Sequence, residues 1–198
     1  MIEIWRDNLT EIAEREALRY LGYGRQNIPE VEVKNLVAEC RKEVLKVQDL
    51  RACYSVFDIS VDGDNLDLGF VKVKSHSLSI NLSGCNKAVV FACTAGVGID
   101  RLIARYSRIS PARAAVVQAL GAALVEGWCE EICGKIKERF GETKPRFSCG
   151  YGDLPLTLQR DIFAALSVTK HTGITLSDDC FMTPTKSVTA IVGIKENI

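Results

Sequence analysis

Residues 77–98, SLSINLSGCNKAVVFACTAGVG, hold two different periodicities side by side, and the fold class turns on how they are parsed. Ser77 to Leu82 alternates polar and apolar, the period of a half-buried strand. Lys87 to Cys93 is a continuous apolar run, as in a strand covered on both faces. Thr94-Ala95-Gly96-Val97-Gly98 then turns the chain into a helix predicted from about Ile99 to Tyr106. Upstream, Ala52 to Ser60 and Leu66 to Val73 read as strands on either side of Asp62-Gly63-Asp64-Asn65, residues that tolerate a tight turn. Before them, apolar spacing predicts a helix over about 7–21 and another from Glu30 to about Val47, with Pro29 at its start. Downstream, Ser110-Pro111 has the form of an N-cap followed by proline in the first turn, opening a long helix to about Arg139 that Gly141 ends. Thr157 to Leu166 predicts a short helix and Lys186 to Ile194 a last strand. Strands and helices come in blocks rather than in βαβ alternation. The expected class is α+β, with a mainly antiparallel twisted sheet and helices packed around it. Residues 1–198 are expected to form one domain, with 1–50 as an N-terminal helical part and 51–198 carrying the sheet, the long helix and an irregular loop.

Composition removes several functions. The 198 residues carry 25 Lys+Arg against 25 Asp+Glu. Binding a nucleic-acid backbone by bulk charge needs an excess of cations, so no nucleic-acid partner is expected. The apolar run nearest to a membrane span, Ala114 to Trp128, contains Gln118 and Glu126, so no membrane partner is expected. Met1-Ile2-Glu3-Ile4-Trp5-Arg6-Asp7 has neither a basic nor an apolar targeting region, which predicts a cytoplasmic chain. Eight cysteines occur at 40, 53, 85, 93, 129, 133, 149 and 180, with no CxxC among them. Without that spacing they read as small hydrophobes in a reduced protein rather than as a zinc or dithiol motif.

Three features could carry chemistry. Gly96-Val97-Gly98 follows an apolar strand, but Arg101 stands where a dinucleotide fingerprint has its third glycine, so it reads as turn chemistry. On the long helix, Ala115, Ala119, Ala122, Glu126, Cys129 and Cys133 share one side, opposite Val116, Leu120, Leu124, Trp128 and Ile132. Glu126 is either an ordinary salt bridge at a solvated edge or a ligand contact on a face whose small side chains admit a flat group. Cys129 and Cys133 lack a nearby histidine and make a poor metal site. The third feature is Pro145-Arg146-Phe147-Ser148-Cys149-Gly150-Tyr151-Gly152-Asp153-Leu154-Pro155. Arg146 can grip a carboxylate with two parallel hydrogen bonds, glycines bring backbone close to a ligand, and Tyr151 supplies a ring and a hydroxyl. Arg146 could equally be a structural loop residue.

Arg146-x-x-x-Gly150-Tyr151, preceded by a long helix containing Leu124-Val125-Glu126, resembles the S-adenosylmethionine-binding motif of the activation (reactivation) domain of cobalamin-dependent methionine synthase. The resemblance continues through Lys170-His171-Thr172-Gly173 and Pro184-Thr185-Lys186-Ser187-Val188, and runs from about residue 115 to 194. It implies a methyltransferase component of methionine biosynthesis, in a short free-standing form. S-adenosylmethionine would bind as methyl donor for reductive methylation of cob(II)alamin, and the cobalamin (vitamin B12) would be carried by a partner protein. The implied partners are a cobalamin-binding methionine synthase subunit of a split enzyme, or another corrinoid protein, with flavodoxin or ferredoxin as electron donor. A non-catalytic docking or S-adenosylmethionine-sensing module is the alternative. Residue by residue, the resemblance implies that Arg146 holds the ligand carboxylate and that Gly150 lies where the backbone approaches the ligand, while Cys149, inside the same loop, is small enough to leave the ligand room. Tyr151 would stand near the methyl donor and corrin face, and Glu126 would contact the ligand's ammonium or sulfonium. No catalytic residue and no metal ligand is implied, and His76 and His171 are assigned neither role. Phe147 and Gly152 stand where the family has proline.

Overall fold

A computed structural model describes residues 1–24 and 26–195. In chain order its elements are β1 (Glu3–Asp7), α1 (Glu14–Tyr20), α2 (Val31–Val47), β2 (Leu50–Asp58), β3 (Ser60–Asp62), β4 (Asn65–Asp67), β5 (Lys72–Lys74), α3 (His76–Asn81), β6 (Cys85–Thr94), α4 (Val97–Ile109), α5 (Pro111–Phe140), α6 (Gln159–Leu166), α7 (Val168–Thr172), β7 (Thr175–Leu176), β8 (Met182–Thr183) and β9 (Ser187–Lys195). The main sheet has the order β1-β2-β6-β9, every neighbouring pair antiparallel. β3-β4-β5 and β7-β8 form two smaller antiparallel sheets. The α+β class with a mainly antiparallel sheet is therefore what the chain adopts.

The two-residue period of the strands divides the interior in two. Leu50, Ala52 and Tyr54 of β2, Val89, Phe91 and Cys93 of β6, and Ala190, Val192 and Ile194 of β9 join one core with α1, α2, α4 and α5. Cys53, Ala88, Val90, Ala92 and Ile191 belong to a second core with Leu78, Leu82, Ile162, Leu166 and Val168. Because β6 has a core on each face, it reads as an unbroken apolar run. Seven of the eight cysteines are buried as small fillers, and all eight are free thiols. The Cys93 and Cys129 sulfurs lie 3.5 Å apart across the first core. No helix of the described residues is long and apolar enough to cross a membrane.

The helix α5 begins as its sequence prescribes. Ser110 Oγ accepts the Arg113 N–H, Pro111 stands in the first turn, and Gly141 at φ +87° closes the end. Its thirty residues span about 45 Å. Val116, Leu120, Leu124, Trp128 and Ile132 are all buried. The small-residue side is mixed: Ala119 and Cys129 are buried, Ala122, Glu126 and Cys133 half-buried, and Ala115 exposed. At the start of α4, Gly98 lies against α2, and a Cβ there would stand 2.3 Å from the Val47 carbonyl oxygen. A backbone atom cannot swing aside as a side chain can. Gly98→Ala is expected to cost about 2 kcal/mol, read as a lowered midpoint in urea denaturation.

Three sequence expectations are corrected and one helix is added. The predicted helix over 7–21 is shorter, because Glu3–Asp7 pairs with Leu50–Tyr54 as β1 and stacks Trp5 on Tyr54 at 4.3 Å. Leu66 to Val73 is not one strand. Asp67 accepts the Gly69 N–H, Gly69 takes φ +80°, and the chain reverses between β4 and β5. A second short helix, α7, follows α6 after Ser167 adopts φ +47°. The third correction is Ser77 to Leu82, which is helical. Ser75 Oγ accepts the Leu78 N–H, while the Asp153 carboxylate accepts the Ser75 hydroxyl and the His76 and Ser77 N–H groups. Leu78 and Leu82 then share the buried face and Ile80 is left 62% exposed.

These three hydrogen bonds hold the Asp153 carboxyl well below its ordinary value of 3.8. A carboxyl depressed in the folded state adds stability above its unfolded value and loses it as pH falls towards the depressed one. Asp153→Asn is expected to lower the melting temperature at pH 7, and the gap from wild type to shrink at about pH 3, which thermal denaturation at the two pH values checks.

Candidate functional site

The loop after α5 runs along the outer edge of β9. Phe147 exchanges both backbone hydrogen bonds with Ile191 at 2.8 Å, and Lys144 N–H donates to the Gly193 carbonyl at 2.8 Å. That edge pairing carries Arg146 over α5. Its guanidinium donates to the Glu126 carboxylate and lies 3.7 Å from Glu130, one helical turn further on. Beyond Phe147 the loop folds on itself. Gly150 N–H donates to the Leu154 carbonyl at 3.0 Å, and Leu154 N–H to the Tyr151 carbonyl at 3.0 Å. Gly152 has φ +55°, and a Cβ there would stand 2.3 Å from Ser77 Oγ. Asp153 then fastens the loop to α3. The loop is thus held at both ends, and Tyr151 projects between them, 67% exposed, its ring edge-on to Phe147 at 6.4 Å.

Proline would suit neither Phe147 nor Gly152 in this geometry. Phe147 needs the N–H it gives to Ile191, and the ring of proline forbids the positive φ of Gly152.

Arg19, Tyr20, Glu126, Arg146, Phe147, Ser148 and Tyr151 line a half-open groove of about 520 Å³. Three of the five residues expected at the site, Glu126, Arg146 and Tyr151, meet there. Gly150 shapes the turn behind it, with its N–H already taken by Leu154. Cys149 does not line the groove. Its side chain is buried in the second core, and burial pushes the thiol up to about 11. Two groove residues, Arg19 and Tyr20, come from α1, which the sequence offered no reason to join to the loop. Arg19 is ion-paired to Glu16 at 2.9 Å, and its guanidinium lies over the Tyr20 ring at 4.5 Å. A second cleft of about 510 Å³ opens on the other side of Arg146, between Glu130, Cys133, Lys137 and Lys144. A larger one, about 690 Å³, lies around Glu14, Arg15, Tyr23 and Pro29 and shares Arg19 with the groove. Among the described residues, no group of three or more His, Cys, Asp and Glu side chains is placed to hold a metal ion.

No family model and no curated protein matches the chain. A solved structure does: a crystal structure of the MetH reactivation domain bound to AdoHcy, with a TM-score of 0.77 and 17% sequence identity. The match covers 100% of this chain and 79% of that one. The chain has the fold of the MetH reactivation domain. The MetH reactivation domain fold thus accounts for the whole described architecture, including the N-terminal part where the sequence resemblance is limited to a helix-then-sheet plan.

The groove joins opposite charges to aromatic surface. Arg146 and Glu126 are each partly solvated, with side chains 24% and 36% exposed, so incoming charged groups can exchange with the pair. A guanidinium offers a carboxylate two parallel bonds, and a carboxylate attracts an ammonium. Tyr151, Phe147 and Tyr20 supply ring surface beside that pole.

Proposed function

We propose that this groove binds S-adenosylmethionine and that the chain serves the reactivation of a corrinoid methyltransferase, most simply as the reactivation component of a split cobalamin-dependent methionine synthase. The observation that carries the reading is the Arg146–Glu126 pair set beside Tyr151 in a groove of about 520 Å³, on the fold of a domain seen bound to AdoHcy. A groove of that size falls in the usual range for a ligand of this class. The zwitterionic amino-acid end of the ligand matches the two charges. In the reading, Arg146 turns from Glu126 to the ligand carboxylate and Glu126 faces the ammonium or the sulfonium. Tyr151, exposed at the mouth of the groove, borders the methyl group and meets the corrin face of the partner. The corrinoid that the partner carries supplies the cobalt that accepts the methyl group, and a flavodoxin or ferredoxin supplies the electron. What this chain contributes is placement: it holds the donor in one orientation so that transfer becomes intramolecular within the complex.

The test mixes the protein with candidate cob(II)alamin proteins, a reductant and S-adenosylmethionine labelled in its methyl group. Label on the corrinoid of a methionine synthase supports the reading as stated. Label on a different corrinoid protein keeps the chemistry and changes the partner. Docking without label would replace it with a non-catalytic module.

A further inference from the structure

The N-terminal helix α1 forms part of the groove. Ala17, fully buried, seats α1 in the first core against α5, and Leu9 lies over Gly127, the residue after Glu126, where a Cβ would come within 3.2 Å of the leucine. This packing delivers Arg19 and Tyr20 to the groove. The Arg19 guanidinium stacks on Tyr20, and Glu16 holds Arg19 in turn. The cation covers one face of the ring, and Tyr20 is 42% exposed. The groove therefore combines two kinds of lining. Glu126 and Arg146 supply opposite charges, and Tyr20 from α1 joins Tyr151 and Phe147 of the loop as ring surface.

We propose that Tyr20, braced by Arg19, is the residue that recognises the purine nucleoside of the ligand, so that α1 sets the selectivity for S-adenosyl compounds over simple amino acids. The proposal rests on the reading of the groove as an S-adenosylmethionine site. The charged pole fits any α-amino acid, because it addresses only the ammonium and carboxylate. Discrimination has to come from surface that a free amino acid does not reach. A planar base has a π-face that stacks on an aromatic ring, and Arg19 over Tyr20 favours one orientation of that ring.

Calorimetry with S-adenosylhomocysteine (AdoHcy) on the wild type, Tyr20→Ala and Tyr20→Phe tests it, with adenosine as a second probe. Tyr20→Ala is expected to weaken S-adenosylhomocysteine by about tenfold or more, the size of a lost base–ring stack, and adenosine by a similar factor. Tyr20→Phe, which keeps the ring, is expected to stay within about threefold of wild type. Circular dichroism melting of each variant confirms that α1 remains docked. Wild-type binding of S-adenosylhomocysteine with Tyr20→Ala unchanged would overturn this inference alone. Absence of wild-type binding would overturn the groove reading and this inference together.

Discussion

Arg146→Ala is expected to weaken S-adenosylhomocysteine binding by roughly a hundredfold. Among the described residues that line the groove, the Arg146 guanidinium is the one cation from the loop, and it reaches α5 through Glu126 and Glu130. Removing it takes away a charge-assisted, two-pronged contact to the ligand carboxylate, about 3 kcal/mol, and leaves Glu126 to repel that carboxylate. Arg146→Lys keeps the charge and loses the planar fork, so an intermediate loss of about tenfold is expected. The Arg146–Glu126 pair is partly solvated, so the melting temperature should move little in either variant. Titration calorimetry separates the two effects. Equal binding by wild type and Arg146→Ala would take Arg146 out of the site.

Trp128→Ala is expected to be the most damaging change to stability, about 4 kcal/mol in urea denaturation. The indole is wholly buried between α5 and the sheet, and its Nε1–H donates to the Arg51 carbonyl of β2 at 3.3 Å. Alanine would open a cavity in the first core and remove the hydrogen bond to that carbonyl. Trp128→Phe refills most of the volume and should recover more than half of the loss. Because Trp128 follows Glu126 by two residues on α5, the same contact also fixes the site helix to the sheet. A loss below about 1 kcal/mol for Trp128→Ala would mean that the core closes over the gap.

Legibility followed the range of the interactions. The ends of α5 were readable because Ser110, Pro111 and Gly141 act on backbone groups within a few residues of themselves. The continuous apolar run of β6 was readable because both of its faces are covered. Ser77 to Leu82 was not, since its alternation suits a strand. What makes it a helix is the carboxylate of Asp153, in another part of the chain, closing on the N–H groups of His76 and Ser77. β1 was missed for a related reason. It is an edge strand with little burial of its own, and its identity rests on pairing with β2.

The site divides in the same way. Arg146 and Tyr151 stood out from residue type and spacing, and Glu126 from its place on a small-residue face. Their meeting in one groove depends on the loop pairing with the edge of β9. Cys149, inside the same motif, lies in the turn that follows, with its side chain buried in the second core beside Leu154 and Leu158.

From the sequence alone came the α+β class, the long capped helix, the two-sided central strand and the arginine–glycine–tyrosine loop. Caps, turn residues and periodicity act over a few positions, so they are written locally. Only the tertiary structure decided that α3 is a helix, that the Arg146 guanidinium is shared by Glu126 and Glu130, and that Arg19 and Tyr20 line the same groove. Those contacts join segments that hydrophobic burial brings together, and burial is non-directional. Which distant residues end up facing one another is settled by the packing of the whole chain.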